Sequence, residues 1–494
     1  MKISDIIFKN EAVHSGKAWE SEFKKITFRA ENTDEKSVYF HLRRVFSKTA
    51  FPYEVIDKRP LAIVTDCEDF GKCSDIPTFT VKDARLALSF AFCRFYGIDF
   101  TNFKIIGITG TNGKTTTASM IEEILKYDGK KTGFIGTGRI ESDGKRLCED
   151  FYSMTTPDPD LLYSSLKRME NDGCEFVVME VSSHALALHK VAPITFDIGI
   201  FTNISHEHLD FHGDIKSYFK TKMKLLEKSR VAIFNIDDSL VRRGYSEYTG
   251  KKVSVGILFE GDARIKEPQI LGFDGSSFIY KTDKFVFKMN LPLVGAYNIY
   301  NAIFAISAAC LVGIRPCIAK AALEKMKPPL GRFEIIKEKV TVIIDYAHTP
   351  RALESLLKTV NGCKTGDERL ITVFGCGGDR DKDKRPIMGK IAEEFSDITI
   401  VTEDNSRSED RENIVADIVS GFKDPCRAVV ILSRKEAIET AILSAKDGDI
   451  VAVVGKGAEN YNIGKNGIVF FDERKIISEA LVKRSGEINY ENKA

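Results

Sequence analysis

The chain has 494 residues, 43% hydrophobic and 10% aromatic, about three times the ~150 residues of a typical domain, which excludes both one small module and wholesale disorder. Its 72 Lys and Arg against 71 Asp and Glu leave a net charge of +1, which excludes a generally polybasic nucleic-acid binder. No run approaches the ~20 apolar residues that span a bilayer, and Met1-Lys2-Ile3-Ser4-Asp5 leads into polar sequence rather than a signal-peptide stretch, so a cytoplasmic protein with no membrane partner is expected. Ten cysteines are scattered, and the one tight pair, Cys67 and Cys73, lacks a second pair to complete a zinc site. Reduced, mostly buried thiols are the expectation.

In chain order, the first hundred residues carry short apolar runs such as Val38-Tyr39-Phe40 and a helix-like stretch over 81–96, the pattern of a small α/β domain. After Gly97-Ile98-Asp99 apolar strands alternate with long periodic helices, the signature of a parallel sheet covered on both faces. Strands are predicted at 104–109, 176–181, 198–203 and 231–236, with a helix at 118–126. Lys327-Pro328-Pro329 stops a helix predicted over 319–326 and marks a second boundary. Beyond it, strands predicted at 342–345, 370–374, 398–401, 429–432 and 450–454 again alternate with helices, as in a second doubly wound unit. The chain therefore reads as three α/β domains over 1–98, 99–328 and 329–494.

The strand at 104–109 runs directly into Gly110-Thr111-Asn112-Gly113-Lys114-Thr115-Thr116 and then a helix. In that context loop amides and a helix N-terminus face an anion together, Lys114 reaches β/γ-phosphates, and the Thr115 hydroxyl suits Mg²⁺. Ile108 stands where the usual first Gly would be, so this is a shortened phosphate loop. Five of eight histidines lie between His184 and His212, in two groups that each follow a strand end, with Glu180 close by. A buried Glu180 would need a cation or partner, so a metal–phosphate site is plausible there, while His189 and His212 read better as hydrogen-bonding caps. Three other motifs fail on spacing. Asp210 occupies the second histidine's place of a zincin, Phe211 breaks a dinuclear hydrolase pattern, and Lys384 and Lys390 break an EF-hand loop. Further on, Gly375-Cys376-Gly377-Gly378-Asp379-Arg380, Asp404-Asn405-Ser406-Arg407 and Gly455-Lys456-Gly457-Ala458-Glu459 each follow a strand. Two arginines, an amide and a carboxylate on one sheet edge could hold a zwitterion, the alternative being solvated loop charge.

This ordered set, together with Glu180-Val181-Ser182-Ser183-His184, Phe201-Thr202-Asn203-Ile204, His208-Leu209-Asp210-Phe211-His212-Gly213, Gly331-Arg332-Phe333-Glu334 and Asp345-Tyr346-Ala347-His348, resembles the Mur ligases over roughly residues 80 to 475. The resemblance implies an N-terminal domain for a UDP-sugar, a central ATPase with a mostly parallel sheet, and a C-terminal Rossmann-like domain that brings an amino acid. It implies a monomeric ATP-dependent ligase of peptidoglycan precursor synthesis that joins a diamino diacid, diaminopimelate or an analogue such as lanthionine, to a UDP-muramoyl dipeptide. A lysine-adding member, a folylpolyglutamate-type ligase and a phosphate-loop phosphotransferase remain as alternatives.

Carried over residue by residue, the resemblance assigns ATP to Gly110, Thr111, Asn112, Gly113, Lys114, Thr115, Thr116, Asn298, Asn301, Arg332, Asp345 and His348. Two Mg²⁺ ions fall to Thr115, Glu180, His208 and Lys222, the last as a carbamate, and Lys114, His208 and Lys222 carry the catalytic roles. The muramoyl peptide falls to Thr155, Thr156, Ser183 and Lys190, and the incoming amino acid to Arg380, Asn405, Arg407, Gly455 and Glu459. Departures are Lys190 for an arginine, Glu207 for an Asp, Arg351 for an Asp, Ala458 for a His and Ser406 for a proline. Ala30-Glu31-Asn32-Thr33-Asp34 stands near the place of the family's uridine motif, which is missing.

Overall fold

The computed structural model describes residues 1–8, 11–14, 18–43, 53–67, 75–148 and 154–486. Cys73 lies outside them. Two compact units are present: one comprises Met1–Thr109, Gly129–Ile200 and Thr221–Ala232, and the other Gly110–Asp128, Phe201–Lys220 and the chain from Ile233 onward. Among the described residues no helix is long and apolar enough to cross a membrane.

In the first unit a five-stranded sheet runs in the order Ala12–His14, Thr78–Val81, Ala62–Thr65, Ser37–His41, Lys25–Thr27, parallel except for its first strand. A second set places Lys104–Thr109 beside Phe176–Glu180 and then Thr132–Gly136, all parallel, with the antiparallel strands Arg139–Ser142 and Lys145–Arg146 at the edge. The parallel strands are continuous apolar runs because both faces are covered. Helices Ala84–Tyr96 and Pro159–Asn171 pack together, and one core runs from Phe40, Phe79 and Phe92 to Leu166, Val177 and Met179.

In the second unit helix Lys114–Tyr127 packs on the buried helix Ala296–Leu311. The strands Ala263–Ile270, Ser276–Lys281 and Val286–Leu291 form an antiparallel run. A six-stranded sheet takes the order Glu334–Lys337, Thr341–Asp345, Ile450–Val454, Leu370–Phe374, Ile398–Val401, Ala428–Val430, parallel after its first strand. Leu353, Leu356, Met388 and Ile414 cover one face, and Ala437, Ile438, Ile476 and Ile477 the other. This is the doubly wound arrangement expected, whose functional loops follow the C-terminal strand ends.

Four predicted strands, 104–109, 370–374, 398–401 and 450–454, match to the residue. Others shift by up to two residues. Val81 ends a strand rather than starting a helix, because Asp83 caps the helix by accepting from Leu86 N. The helix before the paired prolines runs over Pro316–Glu324, entered through its own proline. The nine described cysteines are free thiols, but only Cys174, Cys363 and Cys376 are buried, so the expectation of mostly buried thiols is corrected. Cys317 and Cys426 sit exposed in the first turns of a helix and a 3-10 helix.

Candidate active site

The phosphate loop belongs to the second unit, and neutral contacts shape it. Thr202 Oγ1 and Asn203 Nδ2 donate to Asn112 O at 2.7 and 3.0 Å, Asn112 N donates to Asn203 Oδ1 at 3.0 Å, and Thr111 N to Asn203 O at 2.9 Å. Gly110 has φ 148°, and a Cβ there would lie 1.9 Å from Thr202 Oγ1, so only glycine fits. Lys114 curls over the loop, its Nζ donating to Gly110 O and Thr111 O at 2.9 Å each. Arg332 reaches Thr115, Nη2 to Oγ1 at 3.0 Å, with its guanidinium over the Tyr346 ring.

Beside this loop lies a cavity of about 340 Å³, lined among others by Asn112, Gly113, Asn298, Asn301, Arg332 and His348. Asn301 Nδ2 donates to Asn298 Oδ1 at 3.1 Å, and Asn298 Nδ2 to Val294 O at 2.9 Å, so each amide is fixed in orientation. Tyr300 and Phe304 add aromatic surface, and Tyr300 OH donates to Asp237 Oδ2 at 2.7 Å. Asp345 also lines the cavity; burial pushes its carboxyl up, against the charges of Arg332 and His348 and the amides of Phe333 and Ala347. A concave site with aromatic walls, fixed amides and an adjoining anion loop suits a nucleoside phosphate.

Glu207 stands out in the sequence only as a departure from the family's pattern. Its Oε1 lies 3.2 Å from His348 Nε2 and 3.8 Å from His208 Nε2. Burial pushes its carboxyl up, but the His348 hydrogen bond and the charges of His208, His348 and Lys114 outweigh that and hold it well below the usual range. The two partners are 141 residues apart, so no local signal could have paired them.

The loops that follow the six-stranded sheet gather Asn405, Arg407, Gly455 and Glu459. Asn405 Nδ2 donates to Glu459 Oε2 at 2.8 Å, and the fully buried Lys456 donates to Asn405 Oδ1 at 3.0 Å. Gly455 N donates to Asp345 O at 3.0 Å. Tyr346 OH donates to Glu459 Oε1 at 3.3 Å, which links this cluster to the cavity wall. Arg407 Nη1 donates to Gly378 O and Asn405 O at 2.7 and 3.3 Å. Arg380 is exposed and donates to Asp379 O. Lys456 went unassigned in the sequence because a loop lysine reads as solvated charge.

In the first unit Glu180 is fully buried, its Oε1 accepting from Thr137 N at 2.9 Å and its Oε2 from Thr137 Oγ1 at 3.4 Å. Thr155 Oγ1 lies 3.1 Å from Thr137 Oγ1, and Thr156 Oγ1 donates to Glu180 O at 3.0 Å and accepts from Ser182 N at 2.9 Å. Ser183 opens the short helix Ser183–Ala187, which Ser182 caps. Lys190 Nζ pairs with Asp158 Oδ1 at 2.8 Å, and Arg29 pairs with Asp158 and Asp160 at 3.4 and 3.0 Å. Lys222 is 1% exposed, not the solvated lysine its lysine-rich helix suggests. Among the described residues no group of three or more His, Cys, Asp or Glu side chains is gathered to hold a metal. The hydroxyl and carboxylate oxygens of Thr115 and Glu180 are of the type Mg²⁺ takes.

The model of the Mur ligase middle domain matches residues 108–309, and that of the Mur ligase glutamate ligase domain matches 331–457. The chain belongs to the Mur ligase family. It is 40% identical over 416 residues to a UDP-N-acetylmuramoyl-L-alanyl-D-glutamate–2,6-diaminopimelate ligase of Syntrophomonas wolfei subsp. wolfei, covering 81% of this chain and 83% of that one. To the enzyme of the same name from Clostridium tetani it is 36% identical over 490 residues, 97% and 99% of the two chains. A solved structure of a ligase of that name is similar with a TM-score of 0.65 and 26% identity, over 98% of this chain and 99% of that one. The Mur ligase MurF of Thermotoga maritima, solved in complex with ADP, shares the fold with a TM-score of 0.61 at 16% identity, over 94% and 98%.

Proposed function

We propose that this protein is the ATP-dependent ligase that adds diaminopimelate to the D-glutamate of UDP-N-acetylmuramoyl-L-alanyl-D-glutamate in peptidoglycan precursor synthesis. The observation that carries the reading is the 40% identity, over 81% of the chain, to a relative named for that ligation. Supporting it are the glycine loop beside a cavity of nucleoside size and the polar cluster around Asn405 and Glu459. The protein acts as a cytoplasmic monomer of three domains, 1–98 for the UDP-sugar, 99–328 for ATP and 329–494 for the amino acid.

ATP takes the cavity, with its base toward Tyr300 and Phe304, its phosphates on the amides of 110–116, and Asn298, Asn301, Arg332, Asp345 and His348 along its length. Lys114 leaves the carbonyls of Gly110 and Thr111 for the β/γ-phosphates, where a point charge stabilises the transferring phosphoryl group. Thr155, Thr156, Ser183 and Lys190 orient the dipeptide so that the side-chain carboxylate of its terminal D-glutamate attacks the γ-phosphate, forming an acyl phosphate as ADP leaves. The amine of the incoming amino acid then attacks the acyl phosphate, phosphate departs and an amide remains. Arg407 takes the distal carboxylate, while Asn405 and Glu459 take polar ends of the zwitterion. Thr115, Glu180, His208 and carbamylated Lys222 are the residues that would hold Mg²⁺, which would supply charge neutralisation for the phosphates. Holding reactants in line and excluding water supply most of the rate.

The test is ATP turnover by the purified protein with each substrate omitted in turn. Phosphate release that needs both the UDP-muramoyl dipeptide and diaminopimelate supports the reading, and turnover with neither, or a phosphorylated final product, overturns it.

A further inference from the structure

The segments 375–386 and 404–409 lie against one another in the second unit, and each carries an uncommon backbone. Asp379 and Arg407, neither of them glycine, both have φ of 52°. Such conformations are costly for residues that carry a Cβ and persist only where the surroundings over-determine them. No proline or disulfide stiffens the run Asp404-Asn405-Ser406-Arg407-Ser408-Glu409, so its rigidity has to come from contacts between the two segments.

Glu409 supplies the largest share of those contacts. Its side chain is 16% exposed and accepts from Arg385, Nη2 to Oε1 at 2.9 Å and Nη1 to Oε2 at 3.1 Å. It also accepts from Asp379 N at 2.6 Å and pairs with Lys382 at 3.2 Å. Arg385 is itself fully buried and takes Asp417 as a second partner at 2.8 Å. The hydrogen bond from Arg385 leads the causes that hold the Glu409 carboxyl down at about 2, so it is an anion throughout the neutral range. A second brace stands next to it: Asp379 accepts from Ser408 Oγ at 2.6 Å and Ser408 N at 3.2 Å. Gly378 closes the approach, its N donating to Asn405 O at 2.9 Å, and a Cβ there would lie 2.0 Å from Ser406 O.

The consequence falls on Arg407. Its Nη1 is engaged by Gly378 O and Asn405 O, so the guanidinium takes its place from the juxtaposition that Glu409 enforces. A guanidinium fork held in advance loses less freedom when a carboxylate binds. We propose that Glu409 is a positioning residue for amino-acid recognition, tying the Asp379 segment to the Arg407 segment so that Arg407 presents a fixed fork to the distal carboxylate of the incoming diamino acid. This rests on the ligase reading above and adds to it a residue that touches no substrate. Glu409 acts through Asp379 N, Arg385 and Lys382, and Ser408 through Asp379.

The experiment uses the full chain with ATP and the UDP-muramoyl dipeptide, and measures KM for meso-diaminopimelate, KM for ATP and kcat in wild type, Glu409→Gln, Glu409→Asp and Ser408→Ala. Loss of one charge-assisted bond in a closed site predicts that Glu409→Gln raises KM for the diamino acid about tenfold or more, with KM for ATP within about twofold. Glu409→Asp, which keeps the charge, recovers part of that loss. Ser408→Ala, on an exposed side chain, moves the same KM about threefold and serves if Glu409→Gln does not fold. An unchanged amino-acid KM in both variants, or KM for ATP rising in parallel, overturns the positioning role. Failure of the ligase reading looks different, because wild type itself would then show no turnover dependent on diaminopimelate.

Discussion

The loop 110–116 and the paired segments 375–386 and 404–409 both hold the backbone in shapes that an isolated peptide avoids, and they do so with opposite chemistry. Around the glycine loop the bonds that fix Asn112 are neutral, from Thr202, Asn203 and a backbone amide, with Gly110 permitting the approach, while Lys114 and Arg332 lay charged donors over Gly110 O, Thr111 O and Thr115 Oγ1. Around Arg407 the bonds carry charge, from Arg385 and Lys382 to Glu409 and from Ser408 to Asp379. The neutral bonds at Asn112 neither titrate nor screen. The charged brace is stronger per bond and depends on pH. On the proposed reading, a loop that admits a polyanion gains from a neutral backbone frame with cations laid over it, whereas a site that takes one carboxylate gains from a rigid cation.

The largest expected effect breaks the first side of the comparison. Lys114→Ala leaves the contacts around Asn112 intact and removes the cation curled over Gly110 and Thr111, so kcat should fall by about 10³-fold or more while the fold, read by circular dichroism, is retained. Near-normal turnover in that variant would dissociate the glycine loop from phosphoryl transfer. Next comes Arg407→Ala on the other side. Sites built around a polar partner reject an analogue lacking it by up to ~10⁴-fold, so wild type should discriminate strongly against L-lysine and L-ornithine, and the variant should lose most of that preference. Lanthionine, of similar length and with both carboxylates, should remain a substrate of wild type. Comparable kcat/KM for L-lysine and diaminopimelate in wild type would remove the carboxylate clamp.

A smaller effect is expected at Lys222, buried at 1% exposure in helix Ile215–Glu227. If it works as a carbamate, Lys222→Ala loses activity that a short-chain carboxylate partly restores, whereas Lys220→Ala stays active. Absence of any rescue across a series of carboxylates would argue for a packing role instead. The smallest effect sharpens the contrast in charge. Glu409 lies at about 2 against an ordinary 4.5, and a depressed carboxylate contributes stability that is complete above the unfolded value and lost as pH falls through the folded one. Wild type should therefore exceed Glu409→Gln by roughly 2–3 kcal/mol in urea unfolding near neutral pH, with the gap closing between about pH 4.5 and about pH 2. A gap that did not change with pH would mean that the lost stability is not electrostatic.

The parts of this architecture that could be read from sequence are those in which one local run carries the whole signal. Strands Leu370–Phe374 and Ile450–Val454 are uninterrupted apolar runs because helices cover both faces, and their limits were found to the residue. The glycine loop was found because strand, loop and helix are contiguous. Strand Ala263–Ile270 was missed: its outer half is exposed and mixes charge with a proline, so neither strand period nor apolar run appears. In the candidate site, Asn405 and Glu459 were singled out by type and by place after a strand. Pairings between separate motifs were not, since Glu207 meets His348 and Arg385 meets Glu409 only once distant segments are folded together. Lys190 was assigned to substrate without its ion pair to Asp158, a contact between two loops that no spacing rule joins.

The central claim, that one chain couples ATP cleavage to joining a diamino diacid onto a UDP-muramoyl dipeptide, is tested most directly by phosphate release measured with the dipeptide fixed and the amino acid varied over meso-diaminopimelate, lanthionine, L-lysine and L-ornithine. The account predicts one phosphate per amide formed, no release without the dipeptide, and kcat/KM for the diamino diacids at least about 100-fold above those for L-lysine and L-ornithine. Phosphate release that ignores the dipeptide, or equal use of all four amino acids, would contradict it.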